Sequence, residues 1–186
     1  ARYILAKKPN AIAAANLSTS RMIDDIAAET GGRVVRTPVG EANVVHGMIN
    51  AGATIGGEGN GGVIDPRIVG GRDSLVAMAY VLGLLAREGK PLSAIVDSIP
   101  KYTIIKDKFE CKKEDAGRAV QALVEQIKDG KVDTQDGIRI DWPDHSWVHA
   151  RSSNTEPIMR IIAEARDEKL AMARIDAVRK IVDQAL

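Results

Sequence analysis

Short apolar runs alternate with amphipathic stretches along the first hundred residues, and the pattern then changes character. Ala11 to Asn16 is a run of small residues with the composition of a buried strand. Ser18-Thr19-Ser20 offers caps for a helix through Thr30, with Ile23, Ile26 and Ala27 on one face and Gly31-Gly32 as its stop. Val34-Val35 predicts a brief strand. A helix from Glu41 to Asn50 follows, with Val44, Val45 and Met48 inward and Gly52 at its end. Ala53 to Gly56 is the next strand. The stretch from Asp73 to Arg87 is apolar on most sides, which predicts a heavily buried helix. This order predicts an α/β three-layer domain with a mixed, largely parallel sheet.

A boundary falls between Lys90-Pro91 and Pro100-Lys101, dividing the chain into domains 1–98 and 99–186. Beyond it, Tyr102 to Cys111, Gly137 to Trp142, Ser146 to Arg151 and Ile158 to Ala165 alternate as strands. Glu114 to Lys128 and Glu168 to Ala185 carry helical periodicity. The expectation is an α+β domain, a four-stranded antiparallel sheet with two helices laid on it.

Two loops hold the candidate chemistry. Gly56-Gly57-Glu58-Gly59-Asn60-Gly61-Gly62 contains a G-x-G-x-x-G match, but Val63-Ile64-Asp65-Pro66 follows where a dinucleotide site needs a helix. No Gly-Lys-Ser/Thr closes the run, so a P-loop is excluded. What remains is backbone able to approach a ligand closely, with Glu58 as its one charge and Asn60 beside it. A carboxylate and an amide suit the vicinal hydroxyls of a sugar edge. The alternative is a wide hairpin turn with Glu58 merely solvated.

Arg151-Ser152-Ser153-Asn154-Thr155-Glu156-Pro157 is the second loop. Alternation along the preceding strand puts Trp147, His149 and Arg151 on one face, so the Arg151 fork points into the loop. A guanidinium binds a phosphate dianion bidentately, and Ser153, Thr155 and backbone N–H groups can complete the donors. The alternative is a hairpin loop rich in the small polar residues that turns favour.

Composition narrows the remaining classes. Lys and Arg number 26 against 25 acids, giving net +1, so neither nucleic acid nor a membrane surface is an expected partner. Nucleic-acid binding by the α+β half is the weakest alternative for the same reason. Aromatics are 3%, so the core is aliphatic. No run reaches the ~20 apolar residues of a membrane span, and no signal peptide is visible. The single cysteine, Cys111, fits a packed thiol in a reducing, cytoplasmic setting. His46, His145 and His149 have no metal or triad spacing, and no Asp-x-Asp-x-Asp run is present, so no metal site is expected in this chain. The sequon Asn16-Leu17-Ser18 is taken as idle. A start without Met suggests a processed piece or an expressed fragment.

The order Thr37-Pro38-Val39-Gly40, the glycine loop, then the Arg151–Pro157 loop resembles the C-terminal half of an α-D-phosphohexomutase, over nearly the whole chain. The family includes phosphoglucomutases, phosphomannomutases and phosphoglucosamine mutases, and its members have four domains. The resemblance implies that this chain is similar to the third, sugar-binding, and the fourth, phosphate-binding. It implies sugar contacts for Glu58 and Asn60 and a phosphate clamp of Arg151, Ser153, Asn154 and Thr155. Gly62 stands where many members carry His, and Glu41 where several do. The resemblance further implies a hexose phosphate substrate, phosphoryl transfer between O1 and O6 through a phosphoserine, and Mg²⁺ held outside this chain. The serine and metal loops belong to N-terminal domains that this chain lacks, so no catalytic residue is expected here and the piece should be inactive alone. The alternative is a stand-alone, non-catalytic sugar-phosphate-binding module. A Thr-x-Ser-His-Asn-Pro-like loop upstream would separate the two.

Overall fold

A computed structural model describes residues 1–153 and 155–186. The chain forms two compact units, Ala1–Lys101 and Tyr102–Leu186. Among the described residues no helix is long and apolar enough to cross a membrane.

The first unit runs α1 (Arg2–Leu5), β1 (Ile12–Asn16), α2 (Met22–Ala28), β2 (Arg33–Thr37), α3 (Glu41–Ala51), β3 (Ile55–Gly57), β4 (Val63–Ile64), α4 (Ser74–Glu88) and α5 (Leu92–Asp97). Its sheet has the order β2-β1-β3-β4, with β1 parallel to both β2 and β3, and β4 antiparallel to β3. Alternate residues of β1 face opposite layers. Ala13 packs with Ile4, Leu5 and Ala27 on one side, and Ala14 packs with Val44 and Met48 of α3 on the other. The small side chains of this strand let helices approach both faces. Gly52 ends α3 in the left-handed conformation, as the sequence predicts.

The apolar helix α4 departs from expectation. Asp73 caps it by accepting from the Leu75 and Val76 amides. Tyr80 faces the α1 side, its ring 5.8 Å from that of Tyr3. Yet no residue of α4 is fully buried, and Leu75 and Leu82 are 73% and 65% exposed. Leu75, Met78, Ala79 and Leu82 repeat at helical spacing on the outward side. A helix lacking charge from 74 to 86 signals burial, but no described residue covers its outer stripe.

The segment after β4 is fastened to α4 by a buried carboxylate. Asp65 accepts from the Arg67 amide and Nε, both at 2.9 Å, and from the Tyr80 hydroxyl. The Arg67 hydrogen bonds, with help from Tyr80 and against the penalty of burial, hold its pKa at about 2. A depressed carboxyl stabilises the fold above its ordinary 3.8, and the contribution disappears as pH falls through the folded value. The first unit should therefore lose roughly 2 kcal/mol between about pH 4 and pH 2 through this group. Urea unfolding followed by the β1 amide signals checks this. Asp65→Asn should flatten that portion of the pH profile, and an equal acid dependence in the variant would contradict it.

The second unit runs β5 (Thr103–Glu110), α6 (Ala116–Gln126), β6 (Lys131–Asp133), β7 (Ile138–Asp141), β8 (Trp147–Ser152), β9 (Ile158–Ala165) and α7 (Glu168–Ala185). The sheet is antiparallel with the order β5-β9-β8-β7-β6, five strands rather than four. The extra edge strand, Lys131-Val132-Asp133, is too short and polar to register as a period-two signal. Ile161, Ala163, Val148 and Ala150 of the sheet pack against Leu123 of α6 and Ile175, Val178 and Val182 of α7. Cys111 is buried in the same cluster.

Candidate functional site

In the first unit, β1 leads through α2 to β2 on one side, while β3 lies on β1's other side. This reversal is a topological switch point, and open α/β sheets bind ligands in the crevice beyond the strand carboxyl ends there. The loops following β1 and β3 meet at that place. Gly57 to Gly62 forms a hairpin into β4, closed by Glu58 N–H to the Gly62 carbonyl at 3.1 Å. The turn is thus a hairpin, but Glu58 is not solvated: its side chain is 7% exposed.

Three neighbours hold that carboxylate. Asn16 Nδ2 donates to Oε1 at 2.8 Å, the Gly40 amide donates to the same oxygen at 3.2 Å, and Arg72 Nη1 lies 3.7 Å from Oε2. The Asn16 side-chain oxygen Oδ1 is itself fixed, accepting from the Ser18 amide at 3.0 Å and Thr19 Oγ1 at 2.8 Å. Those donors leave only the NH₂ end to face Glu58. Arg36 ties the same loop down by donating to the Asn16 and Thr19 carbonyls and to Asp24. Arg72 is aimed by Glu41, which accepts from its amide and Nε at 2.7 Å each. These bonds keep the Glu41 carboxyl below its ordinary range. Asn60 accepts from the Gly62 amide at 3.1 Å, which shapes the turn and leaves its NH₂ group outward. A cavity of about 180 Å³ lies below the loop, lined by Ala14, Thr19, Ile55, Gly57, Glu58 and Gly62.

Sequence reasoning singled out Glu58 and Asn60 but not Asn16, Gly40 and Arg72, which the fold brings against the Glu58 carboxylate. Asn16 is buried, and its amide works inside the fold. Its one sequence signal is its place at the carboxyl end of a strand.

In the second unit, β8 carries Trp147, His149 and Arg151 on the side away from the helices. Trp147 Nε1 donates to Glu164 at 2.7 Å, and the Arg139 guanidinium lies 4.2 Å from the Trp147 ring. His149 Nε2–H donates to the Asp136 carbonyl at 2.7 Å, and burial lowers the pKa of the ring, keeping it neutral. Arg151 is half-buried and makes no ion pair or side-chain hydrogen bond among the described residues. The loop beyond it is fixed at both ends: Ser153 N–H donates to the Ile158 carbonyl at 2.8 Å, and Cys111 N–H to Pro157 at 3.0 Å. Ser153 Oγ accepts from the Thr155 and Glu156 amides at 3.4 and 3.3 Å, and it lies 3.4 Å from Thr155 Oγ1, a contact in which either hydroxyl can donate. Asn154, the remaining candidate, lies outside the described residues. Among the described residues no cluster of three or more His, Cys, Asp or Glu side chains could hold a metal ion.

Comparison with known proteins assigns both units. The family model for phosphoglucomutase/phosphomannomutase, alpha/beta/alpha domain III, matches residues 1–102, and that for the C-terminal domain matches residues 107–181. A phosphoglucomutase/phosphomannomutase of Thermococcus kodakarensis is 37% identical over 98% of this chain and 40% of its own length. A probable phosphoglucosamine mutase of Methanopyrus kandleri is 36% identical over 98% and 42%. A solved phosphoglucomutase/phosphomannomutase family protein of Burkholderia thailandensis aligns with a TM-score of 0.81 at 26% identity, over 99% of this chain and 41% of that one. The chain thus spans about two fifths of the length of the relatives it matches. It belongs to the phosphoglucomutase/phosphomannomutase family, and carries that family's domain III and C-terminal domain.

Proposed function

We propose that this chain supplies substrate recognition for a phosphohexomutase, a cytoplasmic parent protein that moves a phosphoryl group between O1 and O6 of a hexose through a phosphoserine. Glu58 and Asn60 meet sugar hydroxyls, while Arg151, Ser153, Asn154 and Thr155 take the phosphate. The observation that carries this proposal is Arg151, a half-buried guanidinium without a partner among the described residues. Such a group gains most from a bidentate anion. In-line phosphoryl transfer also needs a nucleophile and charge neutralisation at the moving group, which a bound Mg²⁺ supplies in the parent. In this reading the chain itself contributes positioning and binding, and is expected to be inactive by itself.

Calorimetric titration of the chain with hexose 6-phosphates epimeric at a ring hydroxyl tests the sugar assignment. Glu58→Gln should change the ratio of affinities, because a neutral amide both donates and accepts where the carboxylate only accepts. Asn16→Ala removes one of the two donors on Glu58 Oε1 and should weaken all of them by about 1 kcal/mol. An unchanged ratio in the first variant would make the loop structural. Turnover by the chain alone would overturn its assignment as a recognition half.

A further inference from the structure

The strand register places three cations in one line. Arg151 of β8 lies directly opposite Arg160 of β9, and Arg160 directly opposite Lys108 of β5. Opposed residues of antiparallel strands project to one side of the sheet. Met159 and Ile161, the neighbours of Arg160, are buried toward the helices, so the three cations stand on the other face. Like charges directly opposed on neighbouring strands destabilise a sheet, and here this happens twice in a chain whose net charge is only +1. Arg160 gives one N–H to Glu156 at 3.3 Å, while its side chain stays 48% exposed with the rest of its fork available. Lys108 is exposed, and its ammonium makes no ion pair among the described residues. Two inter-strand spacings of about 4.8 Å give the line a span of roughly 10 Å, more than one phosphate fills.

We propose that Lys108 and Arg160 extend the Arg151 site into a cationic strip that holds a second phosphate, so that it prefers a diphosphate group to a single phosphate. This rests on Arg151 being a phosphate ligand. Three cations side by side then offset one another's repulsion through one shared anion, which accounts for a line of charge that the sheet would otherwise tolerate at a cost.

Calorimetry on the chain with inorganic phosphate and with inorganic pyrophosphate tests it. The unmodified chain should bind pyrophosphate at least about ten-fold more tightly than phosphate, the effect of added charge-assisted hydrogen bonds. Lys108→Ala combined with Arg160→Ala should bring the ratio below about three, with pyrophosphate affinity falling more than phosphate affinity. Arg166→Ala with Lys180→Ala removes the same charge elsewhere and should keep the original ratio. Both pairs replace exposed side chains, and amide spectra verify folding. A ratio that survives the first pair, falls equally in the second, or is absent from the start overturns the strip. If Arg151→Ala leaves phosphate binding intact, the loop assignment itself fails, and that outcome is distinct from the others.

Discussion

Replacing Arg151 by alanine should lower the affinity of this chain for a hexose phosphate by about 1.5–3 kcal/mol, roughly ten- to a hundred-fold. The side chain has no described partner to lose, so its removal strands no buried charge and exposes no cavity in the aliphatic core. The loop's two ends are held by backbone bonds that the substitution does not touch. The loss should therefore appear in binding and leave unfolding unchanged. Arg151→Lys should recover only part of it, because an ammonium supplies charge without the planar fork. Titration calorimetry with glucose 6-phosphate, paired with urea unfolding, separates the two effects. Equal affinity in the alanine variant would remove the guanidinium from the site.

Gly137→Ala should cost the second unit about 2–4 kcal/mol, combining a left-handed backbone with overpacking. Gly137 sits at φ +69°, and a Cβ there would meet the Ala150 carbonyl oxygen at 2.3 Å and Arg151 Cα at 2.8 Å. Both are backbone atoms of β8, so relief requires that strand to move. Because β8 carries Arg151 at its end, phosphate affinity should fall along with stability. Trp142 and Trp147 both belong to this unit, so urea unfolding followed by tryptophan fluorescence reports on it directly. Gly117→Ala provides the contrast. It lies in α6 with nothing within 4 Å of its added Cβ, and should stabilise by about 0.5–1 kcal/mol. If both variants unfold alike, close packing at Gly137 is not what holds β8 in place.

The elements legible in the sequence were those whose signal is local. Val44 and Met48 repeat at helical spacing and do face the sheet, and Gly52 stops their helix in the left-handed conformation. Glu58 stood out as the lone charge of a glycine-rich run, and Arg151 as the one cation of a loop of small polar residues. The misses come from information that local patterns do not hold. Asn16 and Glu58 are 42 residues apart, and nothing in either neighbourhood announces that one orients the other. Arg72 lies beside Glu58 while Glu41, from a different element, holds its guanidinium, a meeting of three separate segments. α4 misled in the opposite direction. Its uncharged stretch from 74 to 86 reports that the helix prefers apolar surroundings, but periodicity cannot say whether its own unit supplies them.

In the proposed function the two loops recognise the sugar and the phosphate of one class of ligand. The most direct measurement follows the backbone amide signals of the chain as glucose 6-phosphate is added, with glucose alone and inorganic phosphate alone as separate titrations. The ester should shift signals in both residues 57–62 and residues 151–157, glucose should act on the first loop, and phosphate on the second. Shifts confined to other parts of the chain, or a phosphate response that persists unchanged in Arg151→Ala, would contradict it.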